Sequence, residues 1–258
     1  MSKLYAIGIG PGDRRWMTAK AIEAIESCSD LVAYGLYLDL LGKLCHGKQR
    51  HVLPLGEEIA RARLALDLAA AGKTTGLISS GDIGIYGMAT VVFELLDRQL
   101  QGEEAHPEWL DVDIEVVPGI SAMQAGASGA GAILGHDFCT ISLSDLLTPW
   151  DTIEKRIHCI GAGDFVVSFY NPASKKRHWQ LNRARDILLE YRAPSTPVLI
   201  ARQVTREDEK LNIVCLGDLD AKDVDMFTLI SVGNSESRHI VNGQQHWVYS
   251  PRGYSKQI

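Results

Sequence analysis

The sequence predicts an α/β protein with a mostly parallel sheet in its first half and a mixed sheet in its second half. Short apolar runs alternate with helical patterns in the first half, which is typical of a parallel, doubly wound sheet. After Pro197, strand-like runs follow one another directly, which indicates antiparallel or mixed pairing. The pattern changes near residue 120, so we expect two domains, 1–120 and 121–258.

The first half contains five compact apolar runs that end in turn residues. The predicted strands are Leu4–Gly10, Asp30–Tyr34, Arg50–Leu53, Thr74–Ser80 and Val112–Pro118. A helix is expected after Thr18, whose hydroxyl can cap it. The clearest helix stops at Gly72. Its buried face is predicted from four residues at helical spacing: Ile59, Ala62, Leu66 and Ala69.

The second half contains five strand-like runs and two helical patterns. The runs are FCTISLS, DFVVSFY, PVLIARQV, NIVCLGDL and MFTLISVG. The helices are expected near Asp151–Ile160 and Trp179–Tyr191.

Composition and charge exclude several classes of protein. The 258 residues carry a net charge of -6 and are 46% hydrophobic, which is ordinary for a globular protein and argues against a dedicated nucleic-acid binder. The apolar runs are too short for a membrane span, and the amino terminus is interpreted as the first strand of a cytoplasmic protein. The five cysteines lack a CxxC pair, so we expect neither disulfides nor a metal site, but buried thiols.

The first glycine-rich loop, GIGPGD (Gly8–Asp13), follows a strand and precedes a helix. A dinucleotide fingerprint would need a third glycine where Asp13 stands, and this carboxylate would repel a pyrophosphate. Pro11 also removes an amide donor. A tight turn is therefore favoured over a phosphate cradle, and a nicotinamide dehydrogenase is disfavoured.

Two further loops follow predicted parallel strands. They are SSGDIGIYGMA (Ser79–Ala89) and VVPGISA (Val116–Ala122). Asp82 lies at a strand end, where α/β sheets bind ligands, although a turn or cap role is the common alternative. Ser121 is a candidate helix cap. Together the three loops predict a cleft ligand that is contacted through main-chain groups.

In this order, the three loops resemble those of the tetrapyrrole methylase family, also called class III methyltransferases. The segments Gly135–Trp150, Phe169–Leu181 and Val248–Tyr254 are similar to the members that methylate precorrin-3B at carbon 17. The resemblance covers nearly the whole chain. It implies a homodimer of chains with two α/β domains, with S-adenosyl-L-methionine bound in the cleft between the domains and S-adenosyl-L-homocysteine as its product.

The resemblance also implies cofactor-binding positions. Ser80 replaces a frequent glycine of the family. The matching positions in this sequence are Pro11, Ser80, Gly81, Asp82, Ile85, Ser121, Ala122, Tyr170, Asn171, Ala201 and Thr228.

The resemblance implies two chemical tasks, methylation of carbon 17 and contraction of the macrocycle to precorrin-4. Methyl transfer depends on positioning, whereas contraction needs a general base for the hydroxyl on carbon 20. The candidate catalytic residues are Asp13, His136, Asp137 and Asp145. A histidine titrates near neutral pH, but a loop histidine bonded to backbone is an equal alternative for His136, and a cap or turn is one for Asp145.

A short basic run suits a substrate that carries many carboxylates. The basic residues are Lys175, Lys176, Arg177 and Arg183, of which the first three are the candidate substrate contacts. A solvated helix face is the alternative interpretation. Trp179 beside them is expected either to stack on a flat macrocycle or to pack in the core.

Other functions remain open on sequence alone. A cobalt-factor III methyltransferase performs nearly the same chemistry on a cobalt-loaded ring, and the lack of a cysteine-bearing tail after Cys215 favours the metal-free substrate. A class III methylase of ribosomal RNA or protein, and a non-catalytic binding protein, are more distant alternatives.

Overall fold

The computed structural model describes residues 3–174 and 177–254. The chain divides into two compact units, Met1–Ser121 and Ala122–Ile258. Each unit is organised around its own five-stranded sheet.

The sheet of the first unit is entirely parallel, in the order β3-β2-β4-β1-β5. Its strands are β1 (Lys3–Gly8), β2 (Asp30–Ala33), β3 (Gln49–Val52), β4 (Thr74–Ser79) and β5 (Asp113–Val117). The predicted parallel sheet is confirmed. Because β4, β1 and β5 are neighbours, the loops after these three strands emerge side by side at one edge of the sheet.

Four helices cover this sheet: α1 (Ala19–Ser27), α2 (Gly35–Leu41), α3 (Glu58–Ala70) and α4 (Met88–Leu100). The Thr18 cap is confirmed, since its Oγ1 accepts a hydrogen bond of 3.1 Å from Ala21 N. Ala62, Leu66 and Ala69 are buried as expected, but Ile59 is 56% exposed. Residues 54–57 and 60 are exposed as well, so the first turn of α3 lies outside the packed region.

The main sheet of the second unit is mixed, in the order β10-β9-β11-β8-β7. Its strands are β7 (Phe138–Ser142), β8 (Val166–Tyr170), β9 (Pro197–Arg202), β10 (Lys210–Cys215) and β11 (Thr228–Val232). β7 and β8 are parallel, whereas β11 runs antiparallel to both β8 and β9. The carboxyl ends of β7, β8 and β9 therefore lie at the same edge, and the predicted mixed sheet is confirmed.

The second unit also contains three helices, α5 (Ala122–Ala130), α6 (Trp150–Ala162) and α7 (Gln180–Leu189). A second, three-stranded sheet has the order β12-β13-β6. Its strands are β6 (Gly131–Ala132), β12 (Arg238–Asn242) and β13 (Gln245–Tyr249). This sheet was not predicted, because β12 is exposed along its whole length and shows no alternation of apolar and polar residues.

The cysteines were expected to be buried, and this is wrong for part of the set. Cys28 and Cys45 are buried, Cys139 is half-buried, and Cys159 and Cys215 are exposed. Burial raises the pKa of the Cys28 thiol to about 12. Among the described residues, every helix is too short or too polar to cross a membrane.

One buried carboxylate joins β2 to β3. Asp30 is 5% exposed, and its Oδ1 lies 2.9 Å from His51 Nε2 while its Oδ2 accepts a hydrogen bond of 2.8 Å from Ser29 Oγ. Burial alone would raise the pKa of Asp30, but the hydrogen bonds from His51 and Ser29 outweigh it and hold the pKa below its ordinary value.

This lowered pKa predicts a pH-dependent contribution to stability. An aspartate in the unfolded chain has a pKa of about 3.9, so the contribution is complete above that pH and is lost as the pH falls through the lower pKa of the folded state. At pH 6 we expect Asp30→Asn to lower the free energy of unfolding by about 1–3 kcal/mol. Urea titrations of both proteins at pH 6 and pH 3 should show this difference shrinking at pH 3. A difference that does not change with pH would contradict the assignment.

Candidate functional site

The loops after β1 and β4 are joined by a reciprocal pair of backbone hydrogen bonds. Gly10 N donates to Gly81 O at 3.1 Å, and Gly81 N donates to Gly10 O at 2.7 Å. Both glycines have positive φ, 78° for Gly10 and 68° for Gly81, which a residue with a Cβ rarely adopts. The glycines of GIGPGD and SSGD therefore form a two-loop platform at the edge of the sheet.

The loop after β5 packs against the same platform through its main chain. A Cβ on Gly8 would lie 2.7 Å from Gly81 O and 2.8 Å from Gly119 N, which are impossible contacts. A Cβ on Gly119 would likewise lie 2.7 Å from the carbonyl carbon of Gly8. Since all three neighbours are backbone atoms, these positions have no space for a side chain. The three loops thus meet at Gly8, Gly81 and Gly119.

Asp82 links the second loop to the third. Its Oδ1 accepts a hydrogen bond of 2.8 Å from Gly84 N, and its Oδ2 accepts one of 2.9 Å from Gly119 N. The sequence suggested either a ligand contact or a turn residue at this position. The observed carboxylate forms a turn within its own loop and also holds a loop 37 residues further along the chain.

The remaining predicted cofactor residues of the first unit lie on or under these loops. Pro11 and Ser121 are buried, whereas Ser80 and Ile85 are half-buried. Tyr86, which the sequence did not single out, is 53% exposed and has a φ of 52°. A tyrosine in this left-handed conformation is strained, and such strain concentrates at functional sites.

The predicted cofactor residues of the second unit lie near one edge of its main sheet. Tyr170 ends β8, and its hydroxyl accepts a hydrogen bond of 3.4 Å from Met123 N in the first turn of α5. Ala201 and Thr228 lie on the paired strands β9 and β11. Ala201 is fully buried, and Thr228 Oγ1 donates to Asp225 Oδ1 at 2.8 Å. Ala122 is the first residue of α5 and is half-buried.

Asn171 follows Tyr170 and also has a left-handed backbone conformation, with a φ of 51°, which asparagine adopts more readily than most residues. Its Nδ2 donates a hydrogen bond of 3.0 Å to Ser142 Oγ, at the end of the neighbouring strand β7. The exposed Asn171 therefore has a fixed orientation at the carboxyl ends of β7 and β8.

Asp13 is engaged by its neighbour Arg15. The carboxylate accepts hydrogen bonds from Arg15 N at 2.7 Å, from Nε at 3.1 Å and from Nη2 at 3.0 Å. The hydrogen bonds from the Arg15 side chain and backbone lower the pKa of Asp13. A lowered pKa makes this carboxylate a weaker base, and it acts here as the cap of a short 3-10 helix at Arg14–Trp16.

The other three candidate catalytic residues lie at opposite ends of β7. His136 and Asp137 precede the strand, whereas Asp145 follows it, and a strand of five residues spans about 17 Å. His136 Nδ1 accepts a hydrogen bond of 2.7 Å from Asp137 N, so a neutral His136 carries its proton on Nε2. The structure shows the backbone-bonded histidine that was the alternative for this position. It does not bring the candidates into one acid–base group.

Asp145 lies at the same end of β7 as Asn171. Its Oδ2 accepts a hydrogen bond of 3.1 Å from Gln180 Nε2, at the start of α7. Asp145 itself is exposed, whereas Gln180 is buried. The bond holds the carboxylate beside the carboxyl ends of β7 and β8.

The basic run of the sequence is only partly described. Lys175 and Lys176 lie outside the described residues. Arg177 is 8% exposed, so the solvated helix face considered for it is wrong. Its Nη1 donates to Ser144 Oγ at 3.0 Å and its Nη2 donates to Asn171 O at 2.8 Å. Trp179 is 52% exposed, and its ring lies edge-on to Trp150 at 4.7 Å.

A separate group of polar side chains lies in the first unit, away from the glycine loops in sequence. Asp67, His106 and Glu108 bring their ligand-type atoms within 4.8 Å of one another. His106 Nδ1 lies 3.2 Å from Glu108 Oε1, while Asp67 Oδ1 accepts a hydrogen bond of 2.8 Å from Trp109 Nε1. These hydrogen bonds account for the group as a contact between α3 and the 3-10 helix Pro107–Asp111.

Comparison with known proteins gives one consistent result. The family model described as Tetrapyrrole (Corrin/Porphyrin) Methylases matches residues 3–220. The probable cobalt-factor III C(17)-methyltransferase of Salmonella typhimurium is 44% identical over 98% of this chain and 99% of that protein. The precorrin-3B C(17)-methyltransferase of Sinorhizobium sp is 40% identical over 98% of this chain and 97% of that protein.

A solved structure gives the same result for the fold. The crystal structure of the methyltransferase CobJ has a TM-score of 0.88 and 38% sequence identity, and the match covers 96% of this chain and 99% of that chain. Several other relatives are longer proteins, of which this chain spans about half, as with the cobalt-factor III methyltransferase of Priestia megaterium at 46% of its length.

The parallel sheet, its three glycine loops and the mixed second sheet define a class III methyltransferase. The chain belongs to the tetrapyrrole methylase family. The family resemblance drawn from the sequence is confirmed, as is its similarity to the carbon-17 methyltransferases.

The packing of the loops predicts a specific sensitivity to added atoms. Gly8→Ala should lower the free energy of unfolding by about 1–3 kcal/mol, because its methyl group would push three backbone segments apart. Gly35→Ala is the matched control. Its Cβ would meet only the Val52 side chain, at 3.3 Å, and it lies in a helix that favours alanine. Chemical denaturation should show a loss for Gly8→Ala and little change for Gly35→Ala. Equal stability of the two variants would contradict the packing argument.

Proposed function

We propose that this protein transfers a methyl group from S-adenosyl-L-methionine to carbon 17 of precorrin-3B and promotes contraction of the ring to precorrin-4. The meeting of the three family loops at Gly8, Gly81 and Gly119 is the observation that supports a methylase site. The carbon-17 assignment is supported by relatives at 40–44% identity over nearly the whole chain.

The loop platform is suited to S-adenosyl-L-methionine, which supplies an activated methyl group when bound. Its glycines allow the main chains of the three loops to pack without side chains between them, and the strained Tyr86 lies on the same loop as Gly81. In the first unit, Pro11, Ser80, Gly81, Asp82, Ile85 and Ser121 would hold the cofactor. In the second unit, Ala122, Tyr170, Asn171, Ala201 and Thr228 are the proposed contacts.

For methyl transfer, the protein mainly has to bind the two reactants, orient them and exclude water. Asp82 orients the Gly84 and Gly119 amides, so it acts on the cofactor through the shape of the loops. Asn171 is oriented by Ser142 and presents a polar side chain at a strand end. These groups position reactants, and neither has to gain or lose a proton.

Ring contraction requires a base that takes the proton of the hydroxyl on carbon 20 as this hydroxyl becomes a carbonyl and a ring bond migrates. The migrating bond displaces the lactone oxygen, which leaves as a carboxylate with the electron pair of the broken C–O bond. Asp145 is the candidate that the geometry favours, because it is exposed and lies at the strand end that also carries Asn171. Asp13 is bound by Arg15, and the Nδ1 of His136 already accepts a hydrogen bond from Asp137 N, so the basic nitrogen of a neutral His136 is engaged by the backbone.

A cobalt-loaded ring is the second candidate substrate. It is favoured by the relative at 44% identity, which is a probable cobalt-factor III C(17)-methyltransferase. The metal would enter as part of the substrate, so the two proposals share one methylation chemistry and differ in the ring that binds.

The cofactor proposal predicts the effect of Asp82 on binding. We expect S-adenosyl-L-homocysteine to bind the wild-type protein and Asp82→Ala to weaken this binding about tenfold or more, because two loop amides lose their acceptor. Calorimetric titration at low temperature, with the variant folded, measures this. Asp97→Ala is the control, since this α4 carboxylate accepts a hydrogen bond of 2.9 Å from the exposed Gln101. A fall in melting temperature with unchanged affinity would give Asp82 a purely structural role.

The substrate proposal predicts the product. The protein should add one methyl group, about 14 mass units, to trimethylated precorrin or to its cobalt form in the presence of S-adenosyl-L-methionine. Mass spectrometry of parallel incubations identifies the accepted ring. Asp145→Asn should still methylate but accumulate an uncontracted ring, which visible absorption distinguishes, whereas Asp137→Asn should do both steps. If Asp145→Asn contracts the ring at the wild-type rate, Asp145 is not the base.

Homodimeric assembly, a cytoplasmic location and the absence of nucleic-acid partners remain predictions. Light scattering coupled to size-exclusion chromatography tests the first of them directly. A monomer at micromolar concentration would contradict it.

A further inference from the structure

The loop that follows β7, residues 143–149, exposes two large apolar side chains at its tip. Leu146 is 83% exposed and Leu147 is 98% exposed. Leaving a leucine in water forgoes the stabilisation that burial would give, and adjacent exposed leucines are unusual on a folded surface. The loop lies in the segment Gly135–Trp150, whose similarity is to the carbon-17 methyltransferases.

Two buried side chains hold the stem of this loop, which is formed by Ser144 and Asp145. Arg177 bridges it to the end of β8 through Ser144 Oγ at 3.0 Å and Asn171 O at 2.8 Å. Gln180, which is 3% exposed, holds Asp145 at 3.1 Å. Two buried side chains thus fix the residues that immediately precede the exposed leucines. Hydrogen bonds therefore fix the base of the loop, whereas its tip is exposed.

The position of the loop points to a ligand. Leu143 N donates a hydrogen bond of 2.9 Å to Tyr170 O, so the loop begins at the carboxyl ends of two adjacent parallel strands. Ligands of α/β proteins bind at this end of the strands. Asn171, whose carbonyl oxygen accepts a hydrogen bond from Arg177, lies beside it.

We propose that Leu146 and Leu147 form the apolar contact for one face of the tetrapyrrole macrocycle, and that Arg177 and Gln180 are positioning residues that hold this contact in place. The proposal rests on the proposed function and names the residues that bind its substrate. Two leucines provide far less contact area than the roughly 800 Å² that each partner buries in a stable protein interface, but this area suits a small flat ligand. The Ser144 hydroxyl at the stem suits the polar edge of such a ring.

A double variant tests the contact. Leu146→Ser with Leu147→Ser should raise KM for the tetrapyrrole about tenfold or more while kcat and the affinity for S-adenosyl-L-homocysteine stay near the wild-type values. Leu146→Met with Leu147→Met, which keeps an apolar tip, should retain the wild-type KM. Leu100→Ser is the matched control, because Leu100 is 71% exposed at the end of α4 in the first unit.

The positioning role of Arg177 is tested separately. Arg177→Lys should also raise the KM for the tetrapyrrole, since an ammonium group cannot reproduce the two hydrogen bonds that the planar guanidinium group donates to Ser144 and Asn171. Melting temperature and S-adenosyl-L-homocysteine affinity identify variants that have lost their fold. A KM shift confined to the tetrapyrrole in both variants supports the proposal.

Three results would overturn it. The double serine variant could keep the wild-type KM, or it could convert a dimer into a monomer in light scattering, which would make the leucines a contact between copies of the chain. An equal KM increase in Leu100→Ser would show a general effect of exposed leucines. Failure of the proposed function is distinct, because the wild-type protein would then neither bind S-adenosyl-L-homocysteine nor methylate the ring.

Discussion

The close approach of the main chains of Gly8, Gly81 and Gly119 is the constraint on which the first unit depends. Three neighbouring parallel strands end at this point, and each following loop must pass the other two without a side chain between them. Asp82 adds hydrogen bonds that fix the separation between the second and third loops. Main-chain groups packed in this way have fixed positions. A ligand that bound to such a loop would not have to order it first, which lowers the entropic cost of binding.

Much of this arrangement could be predicted, because the signals are local. Glycine and proline mark where strands end, and alternation of strands with helices is enough to make the first sheet parallel. The same reasoning missed α2 (Gly35–Leu41) and the sheet of β12, β13 and β6. It also placed Ile59 in the core, because helical spacing identifies a face of a helix but not how much of its length is covered.

The site was less predictable, because its side chains are held by distant partners. Asp82 was identified as a polar residue at a strand end, yet its bond to Gly119 spans 37 positions in the chain. Arg177 belonged to a basic run that suggested solvent or substrate, but its acceptors on Ser144 and Asn171 are reached only after β7 and β8 have paired. The engagement of Asp13 by Arg15 is local, and an aspartate two residues before an arginine at a helix start could have suggested it.

The bridge made by Arg177 also bears on how this fold can be altered. One guanidinium group joins the loop 143–149 to the segment that begins at Asn171, so these two stretches form one structural unit although α6 and β8 separate them in the chain. If the loop 143–149 alone were replaced by that of a relative, the residue at position 144 would face an Arg177 whose position suits the original loop. The fold should therefore tolerate an exchange between relatives better when 143–149 and 171–180 are transplanted together than when either segment is transplanted alone.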